Sequence, residues 1–210
     1  MPEVSSIYLR DGATGESIRA ELWDGIEEQH LSHWSNVWRP ALREALEGLK
    51  RAEVPSDRWP QNGHWDWRRK VTYVEGILGA RTFGVVANGM TQGLMTVDLV
   101  RHFGRAPEQR GKSLVYVEFL ETAPWNIRSL TGSSRFKGVG SALMSAAVAL
   151  SLEEGFKGRL GLHSLPQADD FYRDTCGMSD FGKDPAYLNL RYFEMTAIQA
   201  LAFIDEESES

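Results

Sequence analysis

One cysteine, Cys176, in 210 residues has nothing to pair with inside the chain, which excludes an internal disulfide and any multi-cysteine zinc cluster. It stands beside Gly177 at the end of an expected helix and reads as a packing residue rather than a catalytic thiol. Long apolar runs are missing too. No stretch reaches the roughly 20 residues that a membrane helix needs, and Met1-Pro2-Glu3-Val4-Ser5-Ser6 lacks the basic-then-apolar pattern of an export signal. The expectation is a cytoplasmic protein with no membrane partner. Basic charge is scarce: 23 Lys and Arg face 29 Asp and Glu, a net charge of -6. That balance argues against a nucleic-acid binder, which needs a basic face. It suits a cationic substrate, although global charge does not describe a pocket. What is present, 42% hydrophobic and 25% charged residues, is enough for one globular domain with a substantial core.

Residues 4–23 read as a hairpin around Asp11-Gly12-Ala13-Thr14-Gly15. The pattern from Ile26 to Ala52 is helical, with a kink or break expected at Pro40, and a second helix is expected from Trp65 to Ile77. Asn88-Gly89 joins two strands as a favoured hairpin turn pair. Leu114–Glu121 and Arg159–Ser164 read as parallel neighbours linked by a helix from Gly138 to Glu154. A short helix from Gln167 to Cys176, a last strand pair and a helix from Thr196 to Ile204 follow. Six of the seven tryptophans fall at or before residue 67. Trp34 and Trp38, four apart, read as a core-facing stripe more than as a substrate wall. His30 and His33 lack a third ligand at a convincing spacing, so no metal is expected.

The segment Ser134-Arg135-Phe136-Lys137-Gly138-Val139-Gly140-Ser141-Ala142-Leu143-Met144 is built to hold an anion at the start of a helix. The first N–H groups of a helix have no intrahelical partner and lie at the positive end of its dipole. Gly138 and Gly140 lack the Cβ that would keep a phosphate from the backbone, and Arg135 and Lys137 add positive charge at the rim. An ordinary glycine-bearing helix start is the alternative that spacing alone leaves open. Neither well-known phosphate loop fits, since Leu143 occupies the third glycine position of Gly-x-Gly-x-x-Gly and the P-loop lysine is missing.

Arg135-Phe136-Lys137-Gly138-Val139-Gly140 resembles the acyl-CoA pyrophosphate loop of the GNAT superfamily of N-acetyltransferases, Arg/Gln-x-x-Gly-x-Gly/Ala. Gly161 to Met178 is similar to the family's next strand and its Ala-x-x-x-Tyr helix, with Ala168 and Tyr172 in the matching places. The likeness covers roughly residues 82 to 195, and Leu120–Asn126 also looks like a bacterial branch whose substrate is unassigned. It implies an α/β (α+β) fold: a mixed, mostly antiparallel sheet with a central parallel strand pair and helices on both faces. One domain over residues 1–204 is expected, with an N-terminal hairpin and helices (1–81) and an acyl-CoA-binding core (82–195). Residues 205–210 would form a disordered acidic tail. An exposed last strand and C-terminal helix would allow a homodimer.

The resemblance implies acetyl-CoA as co-substrate, its diphosphate on Arg135, Phe136, Lys137, Gly138, Val139, Gly140 and Ser141. The pantetheine arm would pair with the backbone of Leu120, Glu121 and Thr122. The implied reaction is acetylation of a small-molecule or peptide amine by direct attack. The amine must be neutral, and deprotonating an alkylammonium near neutral pH costs about 4 kcal/mol without assistance. Glu118 and Glu121 are both candidate bases, Glu118 being favoured for its place well before the loop; His163 is the alternate, against a structural hydrogen-bonded role. Tyr172, by its family position, would give a proton to the leaving thiolate and also touch the cofactor, while Phe171 packs in the core. Two features depart from the family: Leu165 stands where Asn is frequent, and the connection from Ala123 to Ser134 is long enough to lid the cleft or choose the substrate. A GNAT-like module that holds acyl-CoA without turning it over is the alternative function.

Overall fold

In the computed structural model the described residues, 2–56 and 59–209, form two compact units. One comprises Met1–Glu75, Arg81–Met95 and Leu120–Leu143, the other Gly76–Ala80, Thr96–Phe119 and Met144–Ser210. Of the five chain crossings, four fall inside strands or the longest helix and one at Glu75-Gly76. In chain order the first elements are β1 (Glu3–Asp11), β2 (Ser17–Asp24), α1 (Glu28–His33), α2 (Arg39–Arg51), α3 (Trp67–Val74), β3 (Ala80–Ala87) and β4 (Met90–Asp98). They are followed by β5 (Val115–Thr122), α4 (Arg128–Thr131), β6 (Phe136–Lys137), α5 (Val139–Glu153), β7 (Leu160–Ser164), β8 (Ser179–Asp184), β9 (Leu190–Met195) and α6 (Ala197–Glu209).

The first unit is built on antiparallel strands in the order β6-β1-β2-β3-β4. Strands β1 and β2 pair from Glu3↔Asp24 to Arg10↔Ser17, and the Asp11 carboxylate closes their turn by accepting from the amides of Ala13 (2.8 Å) and Thr14 (2.9 Å). The Asn88-Gly89 turn has φ of 51° and 69°, the left-handed pair that suits the twist of a tight hairpin. The helical segment does not break at Pro40. Instead Trp34–Trp38 forms a π turn in which the Arg39 N–H reaches back to the Trp34 carbonyl, so the missing proline N–H is absorbed by one widened turn. Trp34 and Trp38 are both buried beneath it, and the Trp38 indole donates to the Thr91 carbonyl at 3.0 Å.

The second unit holds the strand order β5-β7-β9-β8. Strands β5 and β7 are parallel, from Val115↔Leu160 to Val117↔Leu162; β9 runs antiparallel to both β7 and β8. The sheet is therefore mixed and mostly antiparallel with one parallel pair, as expected. Helix α5 buries Leu143, Met144, Ala147 and Val148 completely, and its open side carries the small or apolar Ala142, Ser145, Ala149 and Leu152, which explains why it lacks a polar stripe. Helix α6 continues to Glu209 through most of the segment expected to be a disordered tail; Ser210 lies outside the described residues. Ala200 and Phe203 of this helix are buried.

Candidate active site

Four separate segments of the first unit converge on Glu121, near the end of β5. Its side chain is 6% exposed. One carboxylate oxygen accepts from Asn62 Nδ2 at 2.7 Å, and the other accepts from the indole N–H of Trp67. Trp67 is placed by α3, whose first turn is capped by the Asp66 carboxylate. Burial pushes the Glu121 carboxyl up to about 7, with the Trp67 and Asn62 donors and the charge of Lys70 pulling down by less. A carboxyl with that value is part ionised near neutral pH, able to take a proton and to hold it.

Glu121 opens onto a pocket of about 150 Å³. Trp34, Trp38 and Trp65 supply its aromatic wall, Leu42, Leu46 and Pro124 its aliphatic one, and Arg39 and Arg43 of α2 also line it. The tryptophans expected to be core stripe thus serve as both core and wall. The connection after β5 helps enclose the pocket and is tied down at both ends. Gln92 Oε1 accepts from the Trp125 indole (2.8 Å) and from Asn126 Nδ2 (3.0 Å). Asn126 Oδ1 in turn accepts from the Phe136 N–H at 2.9 Å, and the Pro124–Asn126 turn and α4 pack on α2. Of this connection, Pro124 lines the pocket.

The same unit contains the helix start. Strand β6 pairs with the end of β1, Arg10↔Lys137 and Asp11↔Phe136, which sets the entry into α5. Gly138 has φ of +87° and lies exposed; a Cβ there would stand in open space beside only Leu9. The first backbone bond of the helix runs from Ala142 N–H to the Gly138 carbonyl at 2.8 Å, so the amides of Val139, Gly140 and Ser141 have no intrahelical acceptor. Arg135 and Lys137 are exposed on either side of buried Phe136. Gly93 of β4 makes the close seat of this helix feasible: a Cβ there would come within 2.7 Å of Val139 Cγ1 and 2.9 Å of Leu143 Cδ1. Uncommitted amides, a glycine in the left-handed region and flanking cations fit a diphosphate.

The remaining candidates lie in other surroundings. Glu118, favoured from the sequence, is ion-paired with Arg101, which also binds buried Asp98 at 2.7 Å. His163 has both ring nitrogens engaged, Nδ1 with the Tyr116 hydroxyl at 2.6 Å and Nε2 with Asp184 at 3.0 Å, and it stacks on Tyr187. Burial lowers its imidazole below the ordinary value, with Asp184 opposing. That is the setting of a structural histidine. Tyr172 sits in a π turn, Phe171–Thr175, and it, not Phe171, is the buried member of the pair. It packs edge-on to Phe171 and against Phe193, and burial raises its phenol well above the usual tyrosine value. Leu120 and Thr122 flank Glu121 on β5, both half-buried. His30 caps α1 by accepting the Glu27 N–H at 2.8 Å, and His33 meets the Thr91 hydroxyl at 2.9 Å.

No family model matches the sequence, and no curated protein matches it. Solved structures do match its architecture. The PaiA N-acetyltransferase of Thermoplasma acidophilum, solved with coenzyme A, aligns over 84% of this chain and 98% of its own at 12% identity and a TM-score of 0.51. The GNAT domain of S. lividans PAT aligns over 91% and 96% at 16% identity and 0.50. The fold is that of the GNAT acetyltransferases. An uncharacterized protein of Bacillus halodurans is also similar, over 98% of this chain and 95% of its own, at 9% identity and a TM-score of 0.55. At such identities the likeness to GNAT structures establishes the fold alone; what this site can do rests on its own residues. Asn62, Trp67 and Gln92 were not singled out for it from the sequence. Trp67 stood out only as one of the six early tryptophans, and nothing local signals Asn62 or Gln92.

Proposed function

We propose that the protein is an acetyl-CoA-dependent N-acetyltransferase acting on a primary amine, with Glu121 as the base. The observation that carries this reading is the buried carboxyl of Glu121, held near 7 at a pocket. A proton passing from an alkylammonium (about 10.4) to an ordinary glutamate at 4.5 climbs about 8 kcal/mol; raising the acceptor to about 7 removes about 3 of these. Acetyl-CoA would supply the activated acetyl group. The amides of Val139, Gly140 and Ser141 with Gly138 would hold its diphosphate, and Arg135 and Lys137 would add charge at the rim. Glu121 accepts the proton that the amine loses as its nitrogen bonds to the acetyl carbon, and Trp34, Trp38 and Trp65 keep bulk water from that nitrogen. When the carbon–sulphur bond breaks, the sulphur needs a proton; by its place in the family's motif, Tyr172 donates it. Burial raises that phenol, which keeps it protonated but makes it a weaker acid, so the assignment rests on the motif position alone.

The test is calorimetry with acetyl-CoA on the full chain, followed by thiol-release assays over a broad amine panel. Binding followed by turnover of any amine supports the enzyme. Binding without turnover across the panel would favour a non-catalytic acyl-CoA-binding module, and failure to bind any CoA species would remove both.

A further inference from the structure

The pocket at Glu121 carries opposite charges in different places. At Glu121, Asn62 commits its Nδ2 to the carboxylate at 2.7 Å, which leaves its Oδ1 buried and without a hydrogen-bond partner among the described residues. An unmet buried acceptor costs about 1–3 kcal/mol, a cost that an entering N–H donor offsets. A primary ammonium brings three such donors and a charge that matches Glu121. On α2, Arg39 and Arg43 lie one turn apart and line the same pocket. Both are exposed, and neither makes an ion pair among the described residues. Arg39 lies over the Trp34 ring, 5.3 Å from its centre, which steadies the guanidinium. The rest of the lining is largely apolar.

We infer that the acceptor is a zwitterion, a free α-amino acid with an apolar side chain: its ammonium meets Glu121 and Asn62 Oδ1, its carboxylate meets Arg39 and Arg43, and its side chain lies among the tryptophans. This rests on the acetyltransferase reading and narrows it. Size and charge discriminate among amines. A volume of about 150 Å³ is enough to take a benzyl or isobutyl group. Polyamines would bring further positive charge to two guanidinium groups that make no ion pair among the described residues. A protein lysine has no carboxylate beside its amine to answer them.

Binding, read from intrinsic tryptophan fluorescence and calorimetry with and without saturating coenzyme A, tests this apart from any acetyl transfer. The probes are phenylalanine, leucine, phenethylamine, 3-phenylpropionate and spermidine. Phenylalanine or leucine is expected to bind at least tenfold more tightly than phenethylamine, 3-phenylpropionate or spermidine. The double variant Arg39→Ala/Arg43→Ala should lose at least tenfold in amino-acid affinity while binding phenethylamine no more weakly than wild type, since two like charges have been removed. Equal affinity for phenylalanine and phenethylamine, no binding of either amino acid, or an unchanged double variant would each overturn the inference. The acetyltransferase reading survives all three if another amine is acetylated; it fails separately, on coenzyme A binding or turnover.

Discussion

Replacing Glu121 with glutamine isolates the energy stored in the buried carboxyl. In the unfolded chain this group ionises at an ordinary 4.5, and in the fold at about 7. The folded state therefore binds the proton more tightly, so the group's contribution to stability is fully present below 4.5 and is lost as pH rises through 7. At 1.36 kcal/mol for each tenfold change in the ionisation constant, the loss is about 3 kcal/mol. Glutamine keeps the shape and the contacts: its amide oxygen can accept from the Trp67 indole, and Asn62 can turn its amide to offer Oδ1 to the new N–H. The raw wild-type profile would mislead. Burial lowers His30 to about 4 from 6.5, and a base kept neutral in the fold raises stability with pH over that window, opposing Glu121. Subtracting the two proteins cancels His30 and every other shared group. Urea unfolding at steps from pH 4.5 to 8.5 should show wild type losing about 3 kcal/mol relative to Glu121→Gln up to about pH 7.5, then a constant gap. Parallel profiles would mean that the carboxyl is solvated in solution, and the base assigned to the mechanism would lose its physical ground.

Gly138→Ala places a Cβ at φ of +87° beside the helix start, which strains the backbone by about 1–3 kcal/mol; affinity for coenzyme A measured by calorimetry should fall at least tenfold, and an unchanged value would put the diphosphate elsewhere. Tyr172→Phe preserves the packing on Phe171 and Phe193 and removes only the hydroxyl, so turnover on a verified acceptor should fall about 10²-fold with coenzyme A affinity nearly intact. Unchanged turnover would take Tyr172 out of the mechanism.

The elements that were legible in the sequence are those governed by short-range chemistry. Asn88-Gly89 reads as a tight hairpin because two adjacent left-handed residues suit that turn, and α5 runs from Val139 to Glu153, where an alanine-rich segment without proline permits nothing else so well. Pro40 shows the limit of such reasoning. Its missing N–H required a disturbance of the helix, but whether the chain breaks or widens a turn depends on what the turn packs against, and here two buried tryptophans sit on the widened turn. At the acidic end, the charge pattern says nothing of the burial of Ala200 and Phe203 on the helix that runs to Glu209.

The choice between Glu118 and Glu121 follows the same logic at the site. Three residues apart on one strand, they are chemically identical, and position relative to the loop favoured the former. What separates them is the company each keeps. Glu118 meets Arg101, three residues beyond Asp98, so its charge is matched by an ion pair. Glu121 meets neutral donors from Trp67 and Asn62, more than fifty residues away. They satisfy its hydrogen bonds without supplying a countercharge, so desolvation dominates and the carboxyl rises. Desolvation of that kind belongs to no segment by itself, since it needs the π turn, α3, the Asn62 loop and the Pro124 wall in place together. A base of this strength is thus a product of folding, and a substitution that loosens any of the four walls should lower the Glu121 carboxyl toward 4.5 without touching it.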